Sequence, residues 1–237
     1  MDRVKNILLT GGSGLLGSAL IELFKNTQYH ILSPNSKEFN ILDTNTMNEY
    51  LPSMSYDLLI HCAAYTDVKR AEIDFLNCID ININGTCNII KYCANKNIKM
   101  IHISTEHVFD GTSSYYKIGD AINPISKYAK SKGCAEMAVR MYDNSLIIRT
   151  SFFPQQFPYD KAFIDQWSSK DYIDIIAPKI MRACLSTNTG IVHCGSDRNS
   201  IYDIAKRRKL DVIPILRKET TYSLLADTSL EINKEFN

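Results

Sequence analysis

Gly11, Gly14 and Gly17 recur at every third position, directly after the apolar run Val4–Leu9. They lead into a stretch in which Leu15, Leu16, Ala19, Leu20, Leu23 and Phe24 repeat at helical spacing. A strand that turns into a helix through glycines so spaced has few uses. One glycine permits the tight turn, one lets the backbone approach a pyrophosphate, and one lets the helix pack on the sheet. The start of the helix then presents N–H dipoles to an anion. Gly11, Ser13, Gly14, Leu15 and Gly17 are therefore candidates to cradle a dinucleotide. An ordinary strand-to-helix turn is the alternative use.

The chain beyond continues in the same rhythm. Tyr29–Leu32 reads as a second strand, broken by Ser33-Pro34-Asn35-Ser36. Phe39–Leu42 is a short extended piece, and Asp43 or Thr44 caps the helix after it. The nearly continuous apolar run Asp57–Ala64 suits a strand buried on both faces. A long helical pattern runs to Asn97, then a strand at Lys99–Ser104, a helix over Ser126–Tyr142 and a strand at Leu146–Arg149. Alternation of this kind predicts an α/β fold: a Rossmann-type doubly wound parallel sheet. After Arg149 the rhythm breaks at Pro154-Gln155-Gln156-Phe157-Pro158, and short elements follow, with Pro178 and Pro214 among them. Residues 1–151 are read as a dinucleotide-binding domain. Residues 152–237 are read as a small α+β substrate lobe interleaved with it.

Length and charge narrow the class further. A chain of 237 residues makes one or two domains with a sizeable core. Lys and Arg number 27 against 26 Asp and Glu, a net charge of +1. That balance carries no footprint for nucleic acid or for an anionic membrane. No apolar run approaches the ~20 residues of a membrane span. The first six residues lead into a short apolar run without the long apolar region of a signal peptide, so a cytoplasmic location is expected. The seven cysteines are odd in number and form no CxxC pair, which favours free thiols and predicts no metal site.

Two further patterns carry chemistry. Tyr128 and Lys132 stand four apart, on one face of the predicted helix. A tyrosine is a poor acid or base at neutral pH, and a neighbouring cation would lower its pKa. Such a pair is a proton-transfer device when a hydride carrier is near. Ser104-Thr105-Glu106 ends a predicted strand, where open α/β sheets bind ligands, so a hydroxyl there can bond a carbonyl oxygen or cap a helix. The second strand ends without an acid to take a ribose 2′-OH. It offers instead the Ser36 hydroxyl and the Lys37 cation, which favours NADP (NADPH) over NAD. Asp43 is a candidate for contacting the adenine.

These stretches resemble the extended short-chain dehydrogenase/reductases, and within them the dTDP-4-dehydrorhamnose reductase group. The resemblance is carried by Thr10-Gly11-Gly12-Ser13-Gly14-Leu15-Leu16-Gly17, by His61-Cys62-Ala63-Ala64-Tyr65-Thr66 and by Asn82-Ile83-Asn84-Gly85. It continues in His102 to Gly111, in Asn123-Pro124 leading to Tyr128 and Lys132, in Arg149-Thr150-Ser151 and in the closing segment Tyr222–Leu230. The resemblance implies a reductase of a nucleotide-linked 4-keto-6-deoxy sugar, with hydride delivered to C4. Tyr128 would be the proton donor, Lys132 would hold the nicotinamide ribose, and Thr105 would sit beside the substrate carbonyl. Ala63, Ala64 and Tyr65 would line the cofactor, and Asn82 would support the strands or the cofactor pocket. Ser151 and Phe152 would meet the substrate. Glu106 and His107 replace the Asp-Tyr pair usual in that group, where substrate would lie; His107 reads either as a substrate contact or as a packed imidazole at a strand end. Asp165-Gln166-Trp167-Ser168-Ser169 lacks the glycine of the group's matching segment.

Two other functions share the family. One is a non-catalytic, cofactor-binding regulatory subunit like the β subunit of methionine adenosyltransferase. The other is a sugar-nucleotide epimerase or dehydratase, which Glu106 keeps open. Pairing of the helices that bear the Tyr128 motif makes a homodimer an expectation by resemblance.

Overall fold

The protein is described by a computed structural model covering residues 6–50, 55–220 and 224–236. Val4 and Lys5 at the predicted start of the first strand, and Tyr222 and Ser223 in the closing segment, lie outside these residues. Five strands, β1 (Asn6–Thr10), β2 (His30–Leu32), β3 (Leu58–His61), β4 (Lys99–Thr105) and β5 (Ser145–Thr150), join an edge strand, Gly190–His193. All are parallel, and their order across the sheet is Gly190–His193, β5, β4, β3, β1, β2. The chain leaves β1 toward β2 and returns on its other side as β3. That reversal opens a crevice at the carboxyl ends of β1 and β3, where ligands of such sheets bind.

The helices are α1 (Leu15–Phe24), α2 (Thr44–Glu49), α3 (Val68–Ala71), α4 (Phe75–Ile79), α5 (Thr86–Lys96), α6 (Lys127–Val139), α7 (Ile173–Leu185) and α8 (Ile201–Lys206). Side chains of a strand alternate between its faces, and the core follows that period. Ile7, Leu9, Leu58, Ile60, Leu146 and Ile148 pack with Leu20 and Phe24 of α1 and with Ile176 and Ile180 of α7. Leu8, Leu59, Met100 and Ile147 pack on the opposite face with Ile89 and Cys93 of α5 and Val139 of α6. Helices on both faces explain why every residue of β3 and β5 is buried.

Two predicted elements differ. Phe39–Leu42 is a turn and not a strand. Asn35 accepts the N–H groups of Lys37 and Glu38 through its side chain, and its carbonyl accepts that of Phe39 at 3.0 Å. Phe39 and Ile41 are still buried, with Phe39 edge-on to Tyr92 at 5.4 Å. The helix expected to reach Asn97 is divided. A short α3, capped by Asp67, ends at Ala71, and from Phe75 the chain runs as one continuous helix to Lys96, with a π-helical turn at Asp80–Gly85 between α4 and α5.

The chain enters the small lobe at Phe152, and returns to the sheet for α7 and the edge strand. In the lobe Phe152–Phe153 pairs with Asp171–Tyr172, Lys161–Phe163 with Ile213–Ile215, and Trp167–Ser168 with Asn199–Ser200. Among the described residues no helix is long and apolar enough to cross a membrane.

A buried ion pair joins α6 to the sheet. Arg149 on β5 donates from Nη2 to Glu136 Oε2 at 2.8 Å and from Nε to Oε1 at 3.1 Å. Ser104 on β4 hydrogen-bonds the same carboxylate, and the Arg149 guanidinium lies 5.0 Å from the Phe109 ring centre. Removing one partner strands the other charge in the core. Arg149→Met should therefore cost about 3–5 kcal/mol in urea unfolding, and Arg149→Met with Glu136→Leu should regain much of it.

Three buried histidines set the acid limit of the fold. Burial lowers His61 to about 3 and His193 to about 4, and drives His102 well below the usual range. The unfolded chain takes up these protons near pH 6.5, while the fold refuses them until much lower pH. Stability is thus present above about pH 6.5 and falls on acidification, by up to about 1.4 kcal/mol per pH unit for each histidine. Urea midpoints between pH 7 and pH 4.5 should drop steadily, with His193→Gln flattening the slope.

Candidate active site

A cavity of about 970 Å³ opens at the carboxyl ends of the central strands. One wall is the glycine loop. Gly11 has φ +77°, and a Cβ there would stand 2.6 Å from the backbone nitrogen of Ala63. A Cβ on Gly17 would stand 2.2 Å from the Gly11 carbonyl, so this glycine lets α1 close on the loop. Gly14 is different: its Cβ would meet only the Gly11 carbonyl, at 3.3 Å, and otherwise open space. Gly14 caps α1 without a side chain, and no acid occupies the first turn. The free N–H groups of that turn and the bare cradle before them fit a diphosphate.

Ser33, Pro34, Asn35 and Ser36, at the end of β2, continue the wall. Lys37 does not line it; its N–H is tied to Asn35 in the turn. Asp43 is also outside, because its carboxylate accepts the Asn45 N–H at 2.9 Å as the cap of α2. Ala63 and Ala64 line the cavity. Tyr65 turns away, and its hydroxyl donates to Asp74 at 3.2 Å. Asn82 lies beneath the cavity as a clamp. It accepts the Tyr65 N–H at 2.7 Å, and donates to the Tyr65 carbonyl at 3.0 Å and to Ser131 of α6 at 2.9 Å.

The far wall holds the polar centre. Ser126 caps α6 by accepting the Ala129 N–H at 3.1 Å, which starts the helix just before Tyr128. Tyr128 shares the cavity wall with Thr105 at the end of β4, and Thr105 accepts the His107 N–H at 3.2 Å. Burial pushes the Tyr128 phenol up to about 12 against the opposing effect of the Thr105 hydroxyl. Lys132 is turned to the strand. It donates to the Ile103 carbonyl at 2.7 Å and stands 3.3 Å from His102 Nε2. Burial lowers it to about 8, opposed chiefly by the Glu136 carboxylate. The lysine so directed does not lower the tyrosine, contrary to expectation, and Tyr128 remains protonated at neutral pH.

His107 lines the cavity with its ring centre 6.4 Å from that of Tyr128. Burial, with help from Lys170, lowers it to about 4, so it is neutral. Glu106 does not line the cavity. Its carboxylate is turned into the small lobe, where Ser168 donates to it at 2.8 Å. Burial raises its pKa, while Lys170 and surrounding hydroxyls oppose the rise. Ser151 and Phe152 line the substrate side.

Sequence reasoning missed three lining groups. Thr66 stands two residues after Ala64, beyond Tyr65. Thr150 pairs in register with Thr105, and its buried hydroxyl has no partner. Lys170 belongs to a segment whose spacing carries no signal, and only the folding of the lobe brings it to the wall. Among the described residues no group of His, Cys, Asp and Glu could hold a metal.

Comparison with known proteins agrees with this geometry. The family model of the RmlD substrate binding domain matches residues 5–182. The dTDP-4-dehydrorhamnose reductase of Aggregatibacter actinomycetemcomitans is 29% identical over 179 residues, 73% of this chain and 61% of that protein. The methionine adenosyltransferase 2 subunit beta of Bos taurus is 31% identical over 144 residues, 57% of this chain and 42% of that protein. The chain thus spans from about two fifths to three fifths of the length of these curated relatives. A dTDP-4-dehydrorhamnose reductase of Bacillus anthracis, solved in complex with NADP, superposes with a TM-score of 0.87 at 23% identity, covering 97% of this chain and 91% of that one. With its glycine cradle, parallel sheet and matched span of residues, the chain belongs to the RmlD substrate binding domain family.

Proposed function

We propose that the chain is an NADPH-dependent reductase of a nucleotide-linked 4-keto-6-deoxy sugar. The observation that carries this reading is one juxtaposition: Tyr128, protonated at neutral pH, and Thr105 line the same cavity as the open glycine cradle. Residues 1–151 would hold the dinucleotide and residues 152–237 the sugar. Gly11, Ser13, Gly14, Leu15 and Gly17 would take the diphosphate. Lys132, with Ala63 and Ala64 beside it, would hold the nicotinamide ribose. The bound cofactor supplies hydride. Thr105 orients the substrate carbonyl by hydrogen-bonding its oxygen. Tyr128 gives its proton to that oxygen as negative charge develops there. A phenol held at about 12 is fully loaded with its proton at neutral pH, as a donor must be.

The relatives' names support the substrate class, and the solved relative with NADP supports the cofactor. The choice of NADPH over NADH rests on the end of β2, where Ser33, Asn35 and Ser36 offer donors and no carboxylate lines the wall. A regulatory subunit is the second reading, favoured by the likeness to the methionine adenosyltransferase β subunit.

Tyr128→Phe removes only the hydroxyl. It should lower kcat by about 10²–10⁴-fold with NADPH affinity nearly unchanged. Following NADPH absorbance with dTDP- and UDP-linked 4-keto-6-deoxy sugars tests this. A wild-type protein that binds NADPH and reduces none of them sinks the reductase reading in favour of the regulatory subunit.

NADPH should bind more tightly than NADH. Ser36→Asp should weaken NADPH by at least about 10-fold while changing NADH little, because a carboxylate there repels a 2′-phosphate. Titration calorimetry with both cofactors decides it, and a wild type that prefers NADH ends the assignment.

A further inference from the structure

The charged residues that line the cavity are Lys132 and Lys170, and no Asp or Glu is among the described lining residues. Lys132 is satisfied by the Ile103 carbonyl and His102. Lys170 is not matched in this way. Its ammonium lies 4.6 Å from the centre of the Phe153 ring, and among the described residues it makes no ion pair within 4 Å. Glu106 is the carboxylate whose charge it feels. That carboxylate is already occupied, with the Ser168 hydroxyl within 2.9 Å of both its oxygens. Lys170 is half-buried on the cavity wall, so its ammonium is held in place there and is reachable by a ligand. Lys170 acts on His107, whose ring stands edge-on to Tyr128, so the cation belongs to the substrate half of the cavity.

We propose that Lys170 is a specificity-determining residue that binds an oxyanion carried by the substrate, a sugar-linked diphosphate or a sugar carboxylate. The inference rests on the reductase reading for the word substrate, but not for the anion site. The Phe153 ring takes the ammonium as a cation–π partner 4.6 Å from its centre, which holds the head on the cavity wall while its N–H donors, which a ring face does not saturate, stay open to an anion. The other neighbours on that side, His107 and Tyr128, are neutral at pH 7, and so do not compete for the anion or repel it.

Calorimetry on the full chain, with and without saturating NADPH, tests this without turnover. The probes are thymidine diphosphate, D-galacturonate and uncharged thymidine. Lys170→Met keeps an unbranched side chain beside Phe153 and removes the charge. It should weaken one of the two anionic probes by about 10- to 100-fold, with thymidine unchanged, while Lys170→Arg stays within about 3-fold of wild type. Loss for thymidine diphosphate alone assigns a diphosphate, and loss for galacturonate alone assigns a carboxylate. Equal affinity of Lys170→Met and wild type for both anions overturns the proposal, as does a wild type that binds neither. An equal loss for uncharged thymidine overturns it too, by showing that shape and not charge was removed. A chain that binds a probe through Lys170 yet reduces no sugar would refute the reductase reading and leave the anion site standing.

Discussion

The Glu136–Arg149 ion pair sets where α6 lies on the sheet, and everything at the site is measured from α6. Three successive turns of that helix carry Tyr128, Lys132 and Glu136 at a spacing of four, which is one face. Each is set against a different residue at the end of β4: Tyr128 lines the cavity with Thr105, Lys132 bonds the Ile103 carbonyl, and Glu136 takes the Ser104 hydroxyl. Arg149, the register partner of Ser104 on β5, clamps the last of these. A charge pair this deep gains little net stability, because desolvating both ions offsets their attraction. Its value is positional: a slip of α6 along the strand would break these polar contacts at once and leave Glu136 and Arg149 uncompensated.

Much of this was legible in the residues. The strands could be read because apolar side chains alternate between two covered faces, and the cradle because Gly11 and Gly17 have no room for a Cβ. Tyr128 and Lys132 were legible from spacing alone. Phe39–Leu42 was misread because its apolar side chains report burial and not backbone shape. The turn there is made by the Asn35 side chain upstream. Asp43 illustrates the same limit: an acid before a helix caps that helix, and no spacing rule says whether it also faces a ligand. The π-helical turn inside the helix that ends at Lys96 was hidden because one extra residue in a turn leaves the apolar pattern helical on either side.

The two residues that depart from the group's usual pattern divide their work between cavity and lobe. His107 stays on the cavity wall. Glu106, next to Thr105 in sequence, turns the other way and fastens the end of β4 to Ser168. Spacing along an extended strand places neighbours on opposite sides, so adjacency to a catalytic hydroxyl is weak evidence of contact with substrate. Lys170 shows the converse: it lies far from Tyr128 in sequence, in the lobe, and reaches the same cavity.

The cavity owes its polarity to where the carboxylates are spent. Glu136 belongs to Arg149, Glu106 to Ser168, Asp43 to the cap of α2, and Asp74 to the Tyr65 hydroxyl. Asp110 is held by Tyr116, Thr112 and Asn123, bonds that keep its carboxyl well below the usual range. Each acid near the site is thus turned from it by donors of the protein's own, and the lining keeps two ammonium groups, hydroxyls and backbone N–H groups. A chain of net charge +1 has no overall field with which to attract an anion. It can still make a pocket selective for anions by local assignment, since buried or partly buried cations on a cavity wall are screened less than those on the open surface. Selectivity of this kind depends on the donors that occupy the acids as much as on the lysines. Losing the Ser168 hydroxyl would free Glu106 to turn on Lys170, and so weaken the pocket from behind.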